Sequence, residues 1–216
     1  MAEVKICGIT CEEEIQYLNI LRPEYAGFVF AESKRKIKSE QASYLLSILD
    51  EGIKSIGVFR NNPIEEIIDV LNKVKLYGIQ LHGNEDFDFI ERLKDKTGSR
   101  IKIWKALSIK DEKNIIKFME RKHEYIDRYL IDGSNPGSGK EYNLDLLKKI
   151  IKQYNLENKF ILAGGINPEN ASIKIKEVMP YAVDVSSGVE IIENNNRIKS
   201  FKKMKKLILE VKRGSL

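Results

Sequence analysis

The sequence predicts a single-domain α/β protein, a (β/α)8 barrel. Two observations carry this reading. Eight short β-rich runs alternate with amphipathic helical stretches, and their starts recur every ~21 to ~31 residues, the size of one βα unit. No linker or low-complexity stretch divides the chain, so residues 1–216 are read as one domain of the TIM-barrel class.

The strands are expected at residues 4–7, 25–30, 53–59, 78–81, 101–106, 128–132, 159–163 and 182–185. Helix-start signals follow several of them. Thr10 and Glu13 have the spacing of a capping box for the first helix. Asn62-Pro63 with Glu65, and Asn167-Pro168 later, place proline at a first helical position behind an asparagine cap. Ser39 and Ser108 are placed to cap two others. The last helix is expected to carry Ile198, Phe201, Met204, Leu207, Ile208 and Val211 at helical spacing, with the lysines of residues 199–206 on its solvated face. A doubly wound open sheet is the other architecture to weigh. It wants a glycine-rich dinucleotide turn after the first strand, and Cys7-Gly8-Ile9-Thr10 is not one.

Composition narrows the function classes. The chain is 42% hydrophobic and 32% charged, an ordinary globular profile, and its net charge of +5 mildly favours anionic ligands. The C-terminal lysines read as a packed helix's wet face, so nucleic-acid binding is not expected. The two cysteines, Cys7 and Cys11, are too few for a secreted disulfide framework, which favours the cytoplasm. Their spacing lacks a second Cys or His pair, and His82 and His123 add none, so no metal is expected. The N-terminus lacks the apolar run of a signal peptide, and no stretch approaches the ~20 apolar residues of a membrane span.

In such a barrel the loops after the strands hold the active site, and the candidate residues fall there. Cys7 ends the first strand. By strand alternation Lys5 and Cys7 share one face, expected to be the barrel interior, where the lysine can favour a thiolate; taken alone Cys7 reads as a small buried hydrophobe, and the company of the other candidates favours the chemical role. Asp132 ends the sixth strand and is a candidate general acid or base, or else a turn acid for the next loop. That loop, residues 133–140, contains Gly137 and Gly139 and reads as a cover over the substrate. Gly139-Lys140 has the wrong spacing for a P-loop, and Glu141 replaces its Ser/Thr, which excludes nucleotide hydrolysis of that type. Gly164-Gly165 after the seventh strand and Ser186-Ser187-Gly188 after the eighth fit the common barrel phosphate site, in which backbone N–H groups bind the anion. Arg35, after the second strand, offers a guanidinium fork for a carboxylate, or is a solvated surface arginine. His82 lines the pocket or braces the barrel mouth. Asp184 is expected to point inward and pair with Lys5, because the eighth and first strands are neighbours.

With these motifs in order, the chain resembles the phosphoribosylanthranilate isomerase family. The resemblance covers nearly the whole chain and rests on Lys5-Ile6-Cys7-Gly8-Ile9-Thr10, Gly27-Phe28-Val29-Phe30 with Ser33-Lys34-Arg35, Gly57-Val58-Phe59, Ile79-Gln80-Leu81-His82-Gly83 and Leu130-Ile131-Asp132. It continues through Leu162-Ala163-Gly164-Gly165-Ile166 with Pro168-Glu169-Asn170, and Val183-Asp184-Val185-Ser186-Ser187-Gly188-Val189-Glu190. The loop after Asp132 departs from the pattern. Pro136-Gly137-Ser138-Gly139 stands where a double glycine is usual, and Tyr142-Asn143-Leu144 replaces an aromatic-acid-tryptophan stretch.

The resemblance implies an Amadori rearrangement of N-(5′-phosphoribosyl)anthranilate in tryptophan biosynthesis, with Asp132 as general acid and Cys7 as general base. It implies that Arg35 holds the anthranilate carboxylate and that the loops at 164–165 and 186–188 hold the phosphate. No cofactor is implied. The partner is a small molecule bearing phosphate and carboxylate, with no nucleic acid or membrane, and the protein is a monomer or homodimer. One alternative is the histidine-pathway aminoaldose isomerase. That family looks like two half-barrels, each with a phosphate loop, and has two catalytic aspartates. Here Cys7 and Arg60-Asn61-Asn62-Pro63 occupy the corresponding places of the first half. The other alternative is a phosphate-binding barrel without catalysis, against which the presence of both Cys7 and Asp132 speaks.

Overall fold

Eight parallel strands are hydrogen-bonded in chain order and the order closes, as the strand–helix repeat predicts. The computed structural model describes residues 1–121, 124–133, 144–193 and 196–215. The strands are β1 (Glu3–Cys7), β2 (Tyr25–Val29), β3 (Lys54–Phe59), β4 (Gly78–Leu81), β5 (Lys102–Ser108), β6 (Arg128–Asp132), β7 (Phe160–Ala163) and β8 (Ala182–Val185). The helices are α1 (Glu12–Leu21), α2 (Ser39–Ser47), α3 (Ile64–Lys73), α4 (Phe87–Thr97), α5 (Glu112–Glu120), α6 (Leu144–Tyr154), α7 (Ala171–Val178) and α8 (Phe201–Gly214).

The chain packs as two units. One comprises Met1–Ile6, Leu107–His123 and Arg128–Leu216, and the other Cys7–Ala106 with Glu124–Asp127. In the second unit β2 to β5 pair in register, with Gly27 opposite Ile56, Val58 opposite Gln80, and Leu81 opposite Lys105. Trp104 meets Tyr25 edge-on at 4.9 Å, and Phe30 stacks on Phe59 at 5.2 Å, so aromatic rings fill this core. In the first unit β6, β7, β8 and β1 pair successively, with Ile131 opposite Leu162, Ala163 opposite Asp184, and Lys5 opposite Asp184. Here α8 buries Met204, Leu207 and Val211 fully. At ~2 kcal/mol each, this burial outweighs the modest helix propensity of a lysine-rich segment. A Cβ on Gly214 would lie 2.8 Å from the Ser172 backbone, so glycine lets α8 close on α7.

The helix starts differ from expectation. Thr10 pairs with Glu14, not Glu13: its N–H and hydroxyl donate to Glu14 Oε2 at 2.7 and 3.2 Å, because α1 begins one residue later than the box assumes. Pro63 is the cap residue of α3, and Asn62 instead accepts the Arg60 amide. Asn167 accepts the amides of Glu169 and Asn170, forming a separate turn ahead of α7, whose cap residue is Asn170. Neither Ser39 nor Ser108 caps a helix. Ser39 lies inside α2, and Asp111 caps α5 by accepting from Asn114.

The end of the chain carries a larger correction. After β8 come a 3-10 turn (Ser187–Val189) and an antiparallel hairpin, β9 (Glu190–Glu193) and β10 (Asn196–Lys199). Ile198 and Lys199 therefore belong to a strand, and Lys199 is only 2% exposed rather than solvated. Lys202, Lys203, Lys205 and Lys206 are exposed on α8, as expected.

Candidate active site

In the second unit Cys7 ends β1 as a buried cysteine, outside any disulfide, beside Val29, Ala31 and Val58. Its surroundings are set by Gly27, whose carbonyl accepts the Gly8 and Ile9 amides at 2.9 and 3.0 Å. A Cβ on Gly27 would lie 2.7 Å from the Cys7 Sγ, so glycine makes room for the sulfur. Gly8, at φ 83°, turns the chain out of the strand in a conformation glycine adopts without strain. Arg35 is half-buried in the loop after β2, where its amide donates to Ser33 Oγ at 3.1 Å. His82 is braced at both ends. Its amide donates to Phe59 O at 2.7 Å, and its Nδ1 lies 2.8 Å from the amide nitrogen of buried Gln80. An amide nitrogen only donates, which leaves Nδ1 as acceptor and favours the bracing role over free movement in a pocket.

In the first unit Lys5 Nζ lies 3.0 Å from Asp184 Oδ1, with side chains 0% and 8% exposed. Attraction of opposite charges holds this contact. Asp132 ends β6 half-buried, and its carbonyl accepts the Ile109 amide at 3.0 Å. Gly133 donates to Ala163 O at 3.1 Å, which ties the start of the following loop to β7. Gly137 and Gly139 lie outside the described residues.

The two glycine loops come together in this unit. Gly164 and Gly165 have φ of 86° and 62°, the left-handed region that favours glycine. Asn170 closes that loop by donating to Gly165 O at 2.9 Å. A Cβ on Gly188 would lie 1.9 Å from the Ile166 carbonyl oxygen, so the loops after β7 and β8 touch through backbone at this point. Glycine leaves open space at 165 and lets the two loops meet at 188, which brings main-chain groups of both loops together in an arrangement suited to an anion. Among the described residues no group of three or more His, Cys, Asp or Glu side chains could hold a metal ion.

Two buried ion pairs escape sequence reasoning. Lys199 meets Glu190 at 2.8 Å behind the loop after β8, and Lys105 meets Glu85 at 2.7 Å beside the loop after β4. A lone lysine in sequence carries no sign of burial. The only available signal was the glutamate that each pairing brings opposite, and that requires the fold.

Comparison with known proteins agrees with this geometry. The family model described as N-(5′-phosphoribosyl)anthranilate isomerase matches residues 4–209. The enzyme of that name from Clostridium beijerinckii is 49% identical, over 98% of each chain. Among solved structures, phosphoribosyl anthranilate isomerase from Thermotoga maritima superposes with a TM-score of 0.84 at 33% identity, over 98% of this chain and 99% of that one. Another, in complex with reduced 1-(o-carboxyphenylamino)-1-deoxyribulose 5-phosphate, gives a TM-score of 0.81 at 30% identity, over 98% and 99%. The chain belongs to the N-(5′-phosphoribosyl)anthranilate isomerase family.

Proposed function

We propose that this chain, acting as one barrel domain, converts N-(5′-phosphoribosyl)anthranilate to 1-(2-carboxyphenylamino)-1-deoxyribulose 5-phosphate in tryptophan biosynthesis. Family membership across the whole barrel is the observation that carries this reading. Asp132 gives a proton to the furanose ring oxygen. The C1′–O bond breaks, and the nitrogen lone pair closes a Schiff base. Cys7, as thiolate, removes the C2′ proton, and that electron pair forms the enolamine. Loss of the 2′-hydroxyl proton and protonation at C1′ complete the ketose. Each step moves a proton, so two groups that titrate suffice for the chemistry.

Binding is assigned to the remaining candidates. The main-chain groups at 164–165 and 186–188 hold the phosphate, and Arg35 holds the anthranilate carboxylate through its guanidinium fork. Arg35→Met is expected to raise KM about tenfold, the worth of one charge-assisted contact, with a smaller change in kcat. An unchanged KM in steady-state kinetics would remove Arg35 from the site. Gly188→Ala forces its new methyl against the Ile166 carbonyl at 1.9 Å, a backbone clash with nowhere to relax. It is expected to weaken phosphate retention at least about tenfold and to lower stability by about 1–3 kcal/mol. Competition by inorganic phosphate and thermal melting read the two effects.

The test of the function is turnover. The substrate is made fresh from anthranilate and phosphoribosyl pyrophosphate by a coupling enzyme, and loss of its fluorescence is followed on adding the protein. Rapid loss is expected. Decay no faster than the spontaneous rate would leave a barrel with a phosphate site, and the histidine-pathway aminoaldose would be tried next.

A further inference from the structure

We propose that Lys199 is a positioning residue of the phosphate loop: its buried amine holds the Ser186 carbonyl and thereby aims the Ser187 amide at the substrate's phosphate. The inference rests on the phosphate assignment made above and adds a residue that neither the motifs nor the comparisons single out.

Lys199 closes the β9–β10 hairpin directly opposite Glu190. Three acceptors stand around its ammonium: Glu190 Oε1 at 2.8 Å, Ser186 O at 3.1 Å and Ser186 Oγ at 3.3 Å. An ammonium carries three protons, so the constellation uses the group as a three-way anchor. Both side chains of the ion pair are almost completely buried, at 1% and 4% exposed. Burying a lysine this deeply is costly unless a paired charge and further hydrogen bonds offset the lost hydration. Here they do, and two of the bonds go to one residue of the loop.

The consequence for the loop follows from peptide geometry. In a trans peptide the C=O of one residue and the N–H of the next point to opposite sides, and among the described residues every peptide is trans. Anchoring the Ser186 carbonyl on the amine therefore turns the Ser187 N–H away from the hairpin. The Val189 amide also donates to the Ser186 carbonyl, at 3.4 Å, and sets the turn's curvature from the other end. The hairpin itself is held, since Lys203 Nζ donates to Glu190 O and the Ser200 amide to Val189 O, each at 2.8 Å. The loop is thus backed by a rigid support on one side and pressed on the Ile166 carbonyl at Gly188 on the other. Glu190 lies closest to Lys199, at 2.8 Å, with the exposed Arg197 farther off at 3.9 Å from its other oxygen, so most of the amine's charge is offset and it acts on the phosphate chiefly through orientation.

The experiment compares the wild type with Lys199→Met and with the double variant Lys199→Met/Glu190→Gln. Inorganic phosphate is titrated by calorimetry, KM and kcat are read from substrate fluorescence, and folding is read by thermal melting. The single variant takes the nearer cation from the buried Glu190 carboxylate and leaves the exposed Arg197, 3.9 Å from its other oxygen. The double variant keeps side-chain volume and removes both charges, so it folds and separates orientation from charge. Phosphate affinity is expected to fall about tenfold and KM to rise by a similar factor in the double variant, with kcat changing much less. A folded double variant that binds phosphate and substrate as the wild type does would overturn the proposal, whatever its melting temperature. Wild type that binds phosphate without turnover would sink the isomerase reading alone, and the phosphate titration would still decide the role of Lys199. Wild type that binds no phosphate would overturn the phosphate assignment and with it the role of Lys199, while turnover alone decides the isomerase reading.

Discussion

Replacing Cys7 by alanine is expected to lower kcat/KM about a thousandfold, within the ~10² to ~10⁴ that a positioned general base contributes. That corresponds to about 4 kcal/mol of transition-state stabilisation. Cys7→Ser separates chemistry from packing. The hydroxyl nearly matches the thiol in size, so the cluster with Val29, Ala31 and Val58 stays filled, but a serine hydroxyl is a far weaker acid than a thiol and is not an anion near neutral pH. Cys7→Ser is therefore expected to melt close to the wild type and Cys7→Ala somewhat below it, for the space the sulfur leaves, while both lose activity. A serine variant within about threefold of wild type would show that the thiol is packing.

Asp132→Asn completes the test, because an amide cannot donate the proton that opens the ring. Its expected loss is of similar size, ~10² to ~10⁴. Gly27 supplies an indirect control. Alanine there would put a methyl 2.7 Å from the Cys7 Sγ, moving the sulfur while leaving the thiol in place. Geometry of this kind governs how well a base meets its proton, so Gly27→Ala is expected to fall between the wild type and Cys7→Ala.

The barrel was legible because its signals are local and repeated. Short β-rich runs placed all eight barrel strands within one or two residues at each end. Parity alone placed Lys5 opposite Asp184, since alternation and neighbouring strands leave little choice. Caps were less legible. Thr10 has acids at both Glu13 and Glu14, and a one-residue difference in where α1 begins decides between them. The hairpin was missed because Ile198 fits the helical register of Met204 and Val211, and that periodic signal hid the turn signal of Asn194-Asn195-Asn196. Lys199 looked like its lysine neighbours for the same reason. Burial of a charge depends on a partner, and Glu190 reaches it only through cross-strand pairing. The space around Cys7 was hidden too, because it is made by a glycine from another strand.

Removing Lys105 is expected to be the most damaging single change to stability. Its amine donates to Glu85 Oε2 and Gly83 O, each at 2.7 Å, and to Leu81 O at 3.4 Å. Glu85 in turn accepts the amides of Asn61 at 2.8 Å and Gly83 at 2.9 Å, so the pair ties together the loops after β3 and β4. Lys105→Met leaves a buried carboxylate without its counter-charge, at an expected cost of about 3–5 kcal/mol. In a domain with ~5–15 kcal/mol in total, that is a large share, read as a melting-temperature drop of roughly 6–20 °C. Lys105→Met/Glu85→Gln removes both charges but sets the glutamine NH2 against one of the two amides that Glu85 accepts, so it is expected to recover only part of the loss.

The sign of the pH dependence tests the cause. Burial pushes the Glu85 carboxyl up, but the Lys105 charge and hydrogen bond, with the Asn61 amide, outweigh it and hold the group below its ordinary value. A carboxylate depressed in the folded state contributes stability above its unfolded pKa of ~4.3 and loses it as pH falls through the folded value. Wild type should therefore weaken below about pH 4 by this route. In Lys105→Met the balance reverses, because burial now acts without the opposing charge and the carboxyl is raised. A raised carboxyl penalises folding above its unfolded pKa and is relieved as the group protonates. The melting gap between wild type and Lys105→Met is thus expected to be widest near pH 7 and to close on acidification. A gap that stays constant from pH 7 to pH 4 would mean that lost packing of the lysine stem, not the stranded charge, sets the cost.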